Sequence, residues 1–253
     1  MTETFDAKVA EADDILNSLM ARISPVENKS KYLKILVYGM PGVGKTVFTA
    51  TASKPLIIDI ENGSHSINNH PELKDAQALE FKSIFQVEQL IKYLGDRAPQ
   101  LDSFETVVVD SFSELQKRDL DEIVRSEASK DSARNKYLPI GPDYNVNTEH
   151  MRQIASALRD LDRHIIVTCH VKEEKDDNTG RLLVRPNLTP KLAGTLAGIF
   201  DVVGYMSMQD QTRTLQVHPT NTVTAKTRIG NLPAVMENPT FTDILTAFTT
   251  HKD

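Results

Sequence analysis

Gly39-Met-Pro-Gly-Val-Gly-Lys-Thr46 is the stretch that decides the fold of this 253-residue chain. It has the pattern G-x-x-x-x-G-K-T, in which a glycine-rich turn lets successive backbone N–H groups approach a chain of phosphates. The context fits this pattern, because residues 33–38 are a mostly apolar run typical of a buried strand and residues 46–52 have the pattern of a short helix. The stretch therefore predicts a phosphate-binding loop between a strand and a helix.

Each position of this loop has an expected role in binding a nucleotide. Lys45 is expected to reach the β- and γ-phosphates, and the Thr46 hydroxyl to ligate the Mg²⁺ that bridges them. The sequence therefore predicts that the chain binds ATP with Mg²⁺. We expect the nucleotide to contact Gly39, Pro41, Gly42, Val43, Gly44, Lys45, Thr46 and Val47.

The composition is ordinary for a globular protein with one sizeable core, at 40% hydrophobic and 25% charged residues. The formal net charge of −6 gives no basic field that would draw the whole protein to nucleic acid or to a membrane. Any contact with DNA therefore has to be local. We expect residues 1–30 to form an amphipathic helix with a linker, and residues 31–253 to form the main domain.

Cysteine usage and the N-terminus bear on the cellular compartment. The single cysteine, Cys169, excludes an internal disulfide framework and a cysteine-rich zinc site. The acidic residues near the N-terminus do not fit a secretory signal, and nowhere do 18 apolar residues run together. We therefore expect a cytoplasmic, intracellular protein without a membrane span.

A second landmark is the run Thr106-Val-Val-Val-Asp110, an uninterrupted β-branched strand that ends in a carboxylate. Such a strand delivers an aspartate to the Mg²⁺ site of P-loop ATPases, so we expect Thr46 and Asp110 to serve the metal. Ser111 follows, where many P-loop ATPases have a glutamate that activates water. The catalytic base is therefore expected from another strand.

Glu61 is the first candidate for that base, and Glu114 is the second. Residues 55–61 have a buried-strand pattern with carboxylates at its C-terminal end, and in open parallel sheets this end borders the nucleotide crevice. A carboxylate there can orient or deprotonate the attacking water. The alternative is that Glu61 is a solvated carboxylate in a loop.

His170 ends a further buried-strand pattern, residues 164–170. A polar residue at the end of a strand beside the P-loop strand can hydrogen-bond the γ-phosphate or the attacking water and report its loss. We expect this sensor role for His170, and the alternative is a structural histidine.

The N-terminal helix and two C-terminal cations each allow two interpretations. The apolar seam of the helix packs either on the chain's own core or on another subunit. Lys226 and Arg228 end a strand predicted over residues 222–227, and they form either a solvated edge or a pair that reaches a phosphate of a neighbouring subunit, as an arginine finger does. The seam consists of Phe5, Val9, Ala12, Leu16, Leu19 and Ile23.

Two polar segments are predicted outside the regular elements. Residues 129–147 read as one long loop, which in a compact domain is usually functional or disordered. Residues 171–187 alternate charged and apolar residues around a turn signal, which suggests a hairpin or a mobile loop. Residues 188–199 follow as a helix or loop rich in small residues.

Taken together, these motifs resemble the RecA-like branch of P-loop ATPases over about residues 32–248. The resemblance implies an α/β fold with a mostly parallel, twisted sheet flanked by helices. It also implies that Glu61 is the catalytic carboxylate, that Asp110-Ser111 ends the Walker B strand, and that His170 is the sensor, where recombinases proper carry glutamine. Lys226 and Arg228 match the pair that enters the neighbouring subunit's ATP site in RecA-like rings and filaments.

In its compact size, the chain looks most like the phage-encoded RecA-core ATPases that act as ATP-dependent single-strand annealing proteins. This likeness implies a homo-oligomer, as a ring or a filament, and binding of single-stranded DNA through residues 129–147 and 171–190. Tyr137 and Tyr144 either stack on bases or serve as packing residues.

Three function classes compete on these grounds. The first is an ATPase that binds and anneals single-stranded DNA in recombination or repair. The second is a nucleotide-dependent switch or motor that acts on a protein partner, which the acidic charge permits. The third is a small-molecule kinase, which the sequence disfavours because it has no arginine-rich lid to exclude water.

Overall fold

The computed structural model describes residues 13–23, 31–177 and 179–250 of the chain. The chain divides into two compact units. The N-terminal unit contains helix α1 at residues 13–20, and the large apolar residues described there are more than half exposed: Ile15, Leu16, Leu19, Met20 and Ile23. Phe5, Val9 and Ala12 of the predicted seam lie outside the described residues. No helix in the described part of the chain has the length and apolarity that a membrane span needs.

The main unit begins at Tyr32 and is built on a ten-stranded sheet. Its strands are β1 (Lys34–Gly39), β2 (Pro55–Asp59), β3 (Gln77–Glu80), β4 (Thr106–Asp110), β5 (His164–Lys175), β6 (Leu182–Pro186), β7 (Val202–Gln209), β8 (Thr212–Gln216), β9 (Lys226–Thr227) and β10 (Val235–Glu237). The order across the sheet is β10-β8-β7-β1-β5-β4-β2-β3, with β6 paired to β5 and β9 to β7. The six strands from β7 to β3 are parallel, and β6, β8, β9 and β10 add antiparallel pairs at the periphery.

Helices cover both faces of the sheet. They are α2 (Lys45–Ala50), α3 (Ile84–Gly95), α4 (Phe112–Lys130), α5 (Gly141–Asp160), α6 (Pro190–Ile199) and α7 (Phe241–Thr250), with short 3₁₀ turns at Ser64–Asn69, Pro71–Leu73 and Pro99–Leu101. Helices α3 to α6 pack on one face and α2 and α7 on the other. The predicted α/β fold with a mostly parallel sheet is therefore confirmed.

The central strands are apolar along their length because both of their faces are buried. In β1, Leu36 and Tyr38 pack in the core beneath α3 to α6, whereas Ile35 and Val37 pack beneath α2 and α7. A strand that alternates between two buried faces has no solvent side, so its sequence shows no polar alternation. This arrangement explains why the strands that carry the site were recognisable in the sequence.

The prediction of one long loop over residues 129–147 is wrong. Helix α4 continues to Lys130 and α5 already begins at Gly141, so residues 131–140 form the connection. The Asp143 carboxylate accepts a hydrogen bond from the Ile140 N–H at 2.9 Å, and Pro142 lies in the first turn of α5. A proline in this place starts a helix, because its missing N–H would have no helical partner there.

The structure also shows what residues 171–187 and 222–227 form. Residues 171–187 form a hairpin, because β5 runs on to Lys175 and β6 returns antiparallel to it. The strand predicted over 222–227 is shorter than expected: β9 has two residues, and Val223 makes an isolated bridge to Val184.

Candidate nucleotide site

The P-loop leaves the carboxyl end of β1, in the middle of the parallel strands, and runs directly into α2. Gly44 has φ +90°, in the left-handed region that favours glycine. Gly39 is required for a different reason, because a Cβ there would lie 2.2 Å from the carbonyl oxygen of Met206 in β7. The glycines of the motif therefore set both the turn of the loop and its close packing against the neighbouring strand.

Lys45 is a buried cation. Its side chain is 8% exposed, and Nζ donates hydrogen bonds to the carbonyls of Gly39 and Met40, each at 3.0 Å. No ion pair to Lys45 occurs within residues 13–23, 31–177 and 179–250. Burial lowers the pKa of Lys45, and the nearby carboxylates of Asp110 and Glu61 oppose that shift. An ammonium group has three donors, so one remains for a phosphate oxygen.

Asp110 ends β4 and is held by two hydroxyl groups. Thr46 donates to Oδ2 at 2.6 Å, and Thr168 of β5 donates to Oδ1. Asp110 is 7% exposed, and burial raises the pKa of its carboxyl group. A carboxylate beside a threonine hydroxyl provides the hard oxygen donors that Mg²⁺ takes, with the nucleotide phosphates supplying further ligands. The residues present therefore fit the expected metal.

Asp59, the other carboxylate of the β2 region, shapes the turn that presents Glu61. It is 5% exposed and accepts hydrogen bonds from the backbone N–H groups of Gly63 at 3.0 Å and Ser64 at 2.9 Å. Its oxygens are thus used within the turn. Glu61 lies on that turn with its own carboxylate directed to the neighbouring strand ends.

Glu61 forms a compact group with His170 and Ser111. His170 Nε2 lies 2.9 Å from Glu61 Oε1, and the Ser111 hydroxyl donates to the same oxygen. The hydrogen bond to His170, followed by that to Ser111, lowers the pKa of the Glu61 carboxyl. The second oxygen, Oε2, has no hydrogen-bond partner in the described part of the chain, so an ionised carboxylate oxygen is left for a water molecule.

His170 is itself fixed from the backbone. Its N–H donates to the Ser113 hydroxyl at 3.0 Å, and its carbonyl accepts from the Asn187 N–H at 2.8 Å. The histidine therefore links Glu61 both to the start of α4 and to the end of the hairpin. Such a link is what a sensor of the γ-phosphate would need.

Comparison with known proteins places this geometry in a family. A family model described as the AAA domain matches residues 31–229, well over half of the chain. The chain belongs to the AAA-domain family of P-loop ATPases. No curated protein matches the sequence. Family membership agrees with the nucleotide site built around the P-loop and with the mostly parallel sheet flanked by helices.

Five of the predicted site residues of this AAA-domain protein lie together at one edge of the central parallel strands, after β1, after β2, at the end of β4 and at His170 in the middle of β5. They are linked through the contacts described above: Lys45, Thr46, Glu61, Asp110 and His170. The prediction that the β5 strand runs beside the P-loop strand is confirmed, because β1 and β5 are parallel neighbours.

Lys226 and Arg228 lie at the opposite edge of the sheet. Strand β9 pairs with β7 at Val202 and Val203, the end of β7 farther from the P-loop, whereas Gly39 pairs with Met206. Within the same subunit, Lys226 Nζ donates to the carbonyls of Ala197 and Phe200, and Arg228 bonds Asp201 at 3.1 Å. A role of this pair at a nucleotide is thus possible only at a second subunit's site, and it stays a prediction.

Three residues of the AAA-domain site have contacts that the sequence did not predict. Ser111 was predicted to end the Walker B strand with Asp110, at a position where a glutamate is absent, but the contact of its hydroxyl with Glu61 was not predicted. Thr168 is two residues before His170 on the same strand, so the two-residue period of a strand could have indicated it. Arg213, which contacts the P-loop, is 170 residues from its partner Val43 and has no local signal.

Proposed function

We propose that this AAA-domain protein hydrolyses ATP and uses the nucleotide cycle to bind and anneal single-stranded DNA. One observation carries the proposal. Lys45, Thr46 and Asp110 lie at the same edge of the sheet as the Glu61–His170 pair. Without the second group, the site would suit nucleotide binding alone. With it, an ionised carboxylate oxygen lies where an attacking water would have to be oriented.

The residues divide the chemistry between them. Lys45 offers a free N–H to the charge that develops on the transferred phosphoryl group. Glu61 orients the attacking water through Oε2 and accepts its proton, while Ser111 and His170 hold Oε1. Thr46 and Asp110 would hold Mg²⁺, which supplies positive charge to the β- and γ-phosphate oxygens when bound.

A cavity beside the sensor supports the DNA part of the proposal. It has a volume of about 540 Å³ and reaches from His170 to both segments proposed to bind DNA. Tyr144 lines it from α5, and Lys172 from the hairpin. A cation and an aromatic ring in one cavity suit a phosphate with its neighbouring base.

Tyr137 is a further candidate for stacking on DNA bases. It is 73% exposed, in the connection between α4 and α5, and Lys136 Nζ lies 5.0 Å from the centre of its ring. Stacking of a base on such a ring contributes about 1–3 kcal/mol. These contacts are local, as the net charge of −6 requires.

We propose a homo-oligomer, ring or filament, in which Lys226 and Arg228 reach the neighbouring subunit's nucleotide. The large apolar side chains of α1 are more than half exposed, which supports contact between subunits. Turnover per subunit should then fall on dilution. Turnover that stays constant while the oligomer is seen to dissociate would reject the contribution in trans.

The deciding experiment measures fluorescence anisotropy of labelled single-stranded DNA with the protein, with and without ATP·Mg²⁺. Binding that requires ATP, and that is lost in Lys45→Ala, would support the proposal and lead to an annealing assay. A protein that hydrolyses ATP but binds no DNA under any nucleotide condition would refute the DNA function. Phosphate release is followed in the same samples, so the two halves of the proposal are tested separately.

A second candidate is a nucleotide-dependent switch or motor that acts on a protein partner. A cavity of about 530 Å³ between α3, α4 and α5 favours it, because apolar and acidic side chains line most of the wall and its arginine, Arg134, is paired with Asp143. At its base, His150 lies between Asp119, 2.6 Å from Nδ1, and Glu88, 2.8 Å from Nε2. The exposed side chain of Phe85 borders the same cavity. A basic, partly apolar protein segment would suit this surface.

A further inference from the structure

Arg213 reaches the P-loop from strand β8 of the same subunit. Its Nε donates to the Val43 carbonyl at 3.1 Å. A Cβ on Gly44 would lie 2.3 Å from Nη2 and 2.6 Å from Cζ of this arginine. The guanidinium group therefore lies directly against the Gly44 Cα, one residue before Lys45.

The residue after β10 and the neighbouring strand β7 fix the position of this arginine. The Arg213 N–H donates to Asn238 Oδ1 at 3.1 Å, and the Asn238 N–H donates back to the Arg213 carbonyl at 2.6 Å. On its other side, Arg213 pairs with Met208 of β7. The backbone of Arg213 is thus anchored in the sheet, and its side chain extends to the loop.

The guanidinium group has no counter-ion among the described residues. Within the part of the chain that the structure describes, Arg213 makes no ion pair, and neither Nη1 nor Nη2 makes a hydrogen bond. Burial lowers the pKa of Arg213, and no nearby carboxylate opposes the shift. A partly desolvated cation without a partner is costly, and an anion that binds beside it would remove that cost.

We propose that Arg213 binds the α- and β-phosphates of the nucleotide in its own subunit, through its two Nη groups. The inference rests on the proposed binding of ATP. The position selects these phosphates, because P-loop N–H groups around Gly44 cradle the α- and β-phosphates, whereas Lys45 reaches the β- and γ-phosphates. Arg213 is therefore a binding residue for ADP and ATP alike, unlike an arginine finger, which acts on the transferred phosphoryl group.

The test is equilibrium binding of ADP and of ATP, each titrated against a fluorescent ADP analogue, to the full chain and to three variants. Losing a charge-assisted contact of this kind should raise both dissociation constants about 10- to 100-fold in Arg213→Ala. Arg213→Lys keeps the positive charge but not the Nε–H donor to Val43, so it should recover part of the affinity. Arg125→Ala, which removes an exposed arginine of α4, should bind as the native chain does.

Three results would overturn the inference. If Arg213→Ala bound ADP with the native affinity, Arg213 would make no contact with the phosphates. Equal weakening in Arg213→Lys and Arg213→Ala would mean that the arginine only braces the Val43 carbonyl. A loss of affinity for ATP alone would show that Arg213 contacts the γ-phosphate instead. If the native chain binds neither nucleotide, the proposed function itself fails, and that outcome is distinct from the other three.

Discussion

Replacement of Glu61 by glutamine isolates the chemical step from nucleotide binding. Glutamine has nearly the same shape, and its carbonyl oxygen can replace Oε1 in accepting from His170 and Ser111. The group at Oε2 becomes an amide NH₂, which cannot accept a proton from water. The variant therefore keeps the contacts seen around the carboxylate and loses the single property that catalysis is proposed to use.

The expected effect is large on turnover and small on affinity. A positioned general base contributes about 10²- to 10⁴-fold to a rate, which corresponds to about 2.7–5.4 kcal/mol at about 1.36 kcal/mol for each factor of ten. Affinity for ATP should stay equal or become tighter, since a negative charge near the phosphates is removed. Phosphate release at saturating ATP·Mg²⁺ measures turnover, and titration with a fluorescent ATP analogue measures affinity.

Glu114→Gln is the matched control, because Glu114 was the other candidate base. Its carboxylate lies 2.9 Å from Arg118 and 3.5 Å from Lys117, so it is engaged along α4. We expect this variant to keep its turnover. If Glu114→Gln lost turnover and Glu61→Gln hydrolysed ATP at the native rate, the assignment of the base would be wrong.

Three further predictions concern the free energy of unfolding, measured with urea. Thr168→Val removes a hydroxyl from the buried Asp110 carboxylate and should cost about 1.5–3 kcal/mol. Gly39→Ala places a methyl group on the Met206 carbonyl and should cost about 1–3 kcal/mol. His150, with its pKa raised from 6.5 to about 9, mainly by the hydrogen bond to Asp119, contributes stability that is fully present below pH 6.5 and lost as the pH rises through 9. His150→Ala should therefore cost about 1–2 kcal/mol near pH 6, allowing for solvent screening, and much less near pH 10.

Each of the three stability predictions has a control variant or a result that would contradict it. Thr168→Ser keeps the hydroxyl and should retain more stability than Thr168→Val; the reverse order would mean that packing of the methyl group dominates. Gly194→Ala, in α6 with open space around the added Cβ, should be neutral or stabilising, by up to about 1 kcal/mol. A cost of His150→Ala that does not change with pH would show that the histidine acts without its charge.

The central fold and most of the catalytic group were predictable because local sequence determines them. The P-loop, Asp110 and His170 each end a buried run, and parallel strands bring their carboxyl ends to one edge of the sheet. Glu61 could be placed by the same reasoning. These assignments needed only the apolar pattern of each strand and one polar residue at its end.

Other features could not be predicted, and two of the three depend on contacts between distant segments. Arg213 reaches the P-loop only because β8 returns antiparallel to β7, and nothing in its own segment marks it. The early start of α5 is a local feature, but a stretch that contains a proline fits a turn as well as the first turn of a helix. Here the Asp143 carboxylate accepts a hydrogen bond from the Ile140 N–H and stabilises the helix start. The position of Lys226 at the far edge follows from the direction of a two-residue strand.

Strand β5 has a mechanical consequence. It runs without a break from the centre of the sheet, past His170, to the outer end of the hairpin at Lys175. Five residues of extended chain span about 16 Å, so a small tilt at the Glu61 contact becomes a larger displacement at the far end, as with a lever. Energetic coupling between two such sites is reciprocal. If ATP changes the affinity of the hairpin for a ligand, that ligand changes the affinity for ATP by the same factor.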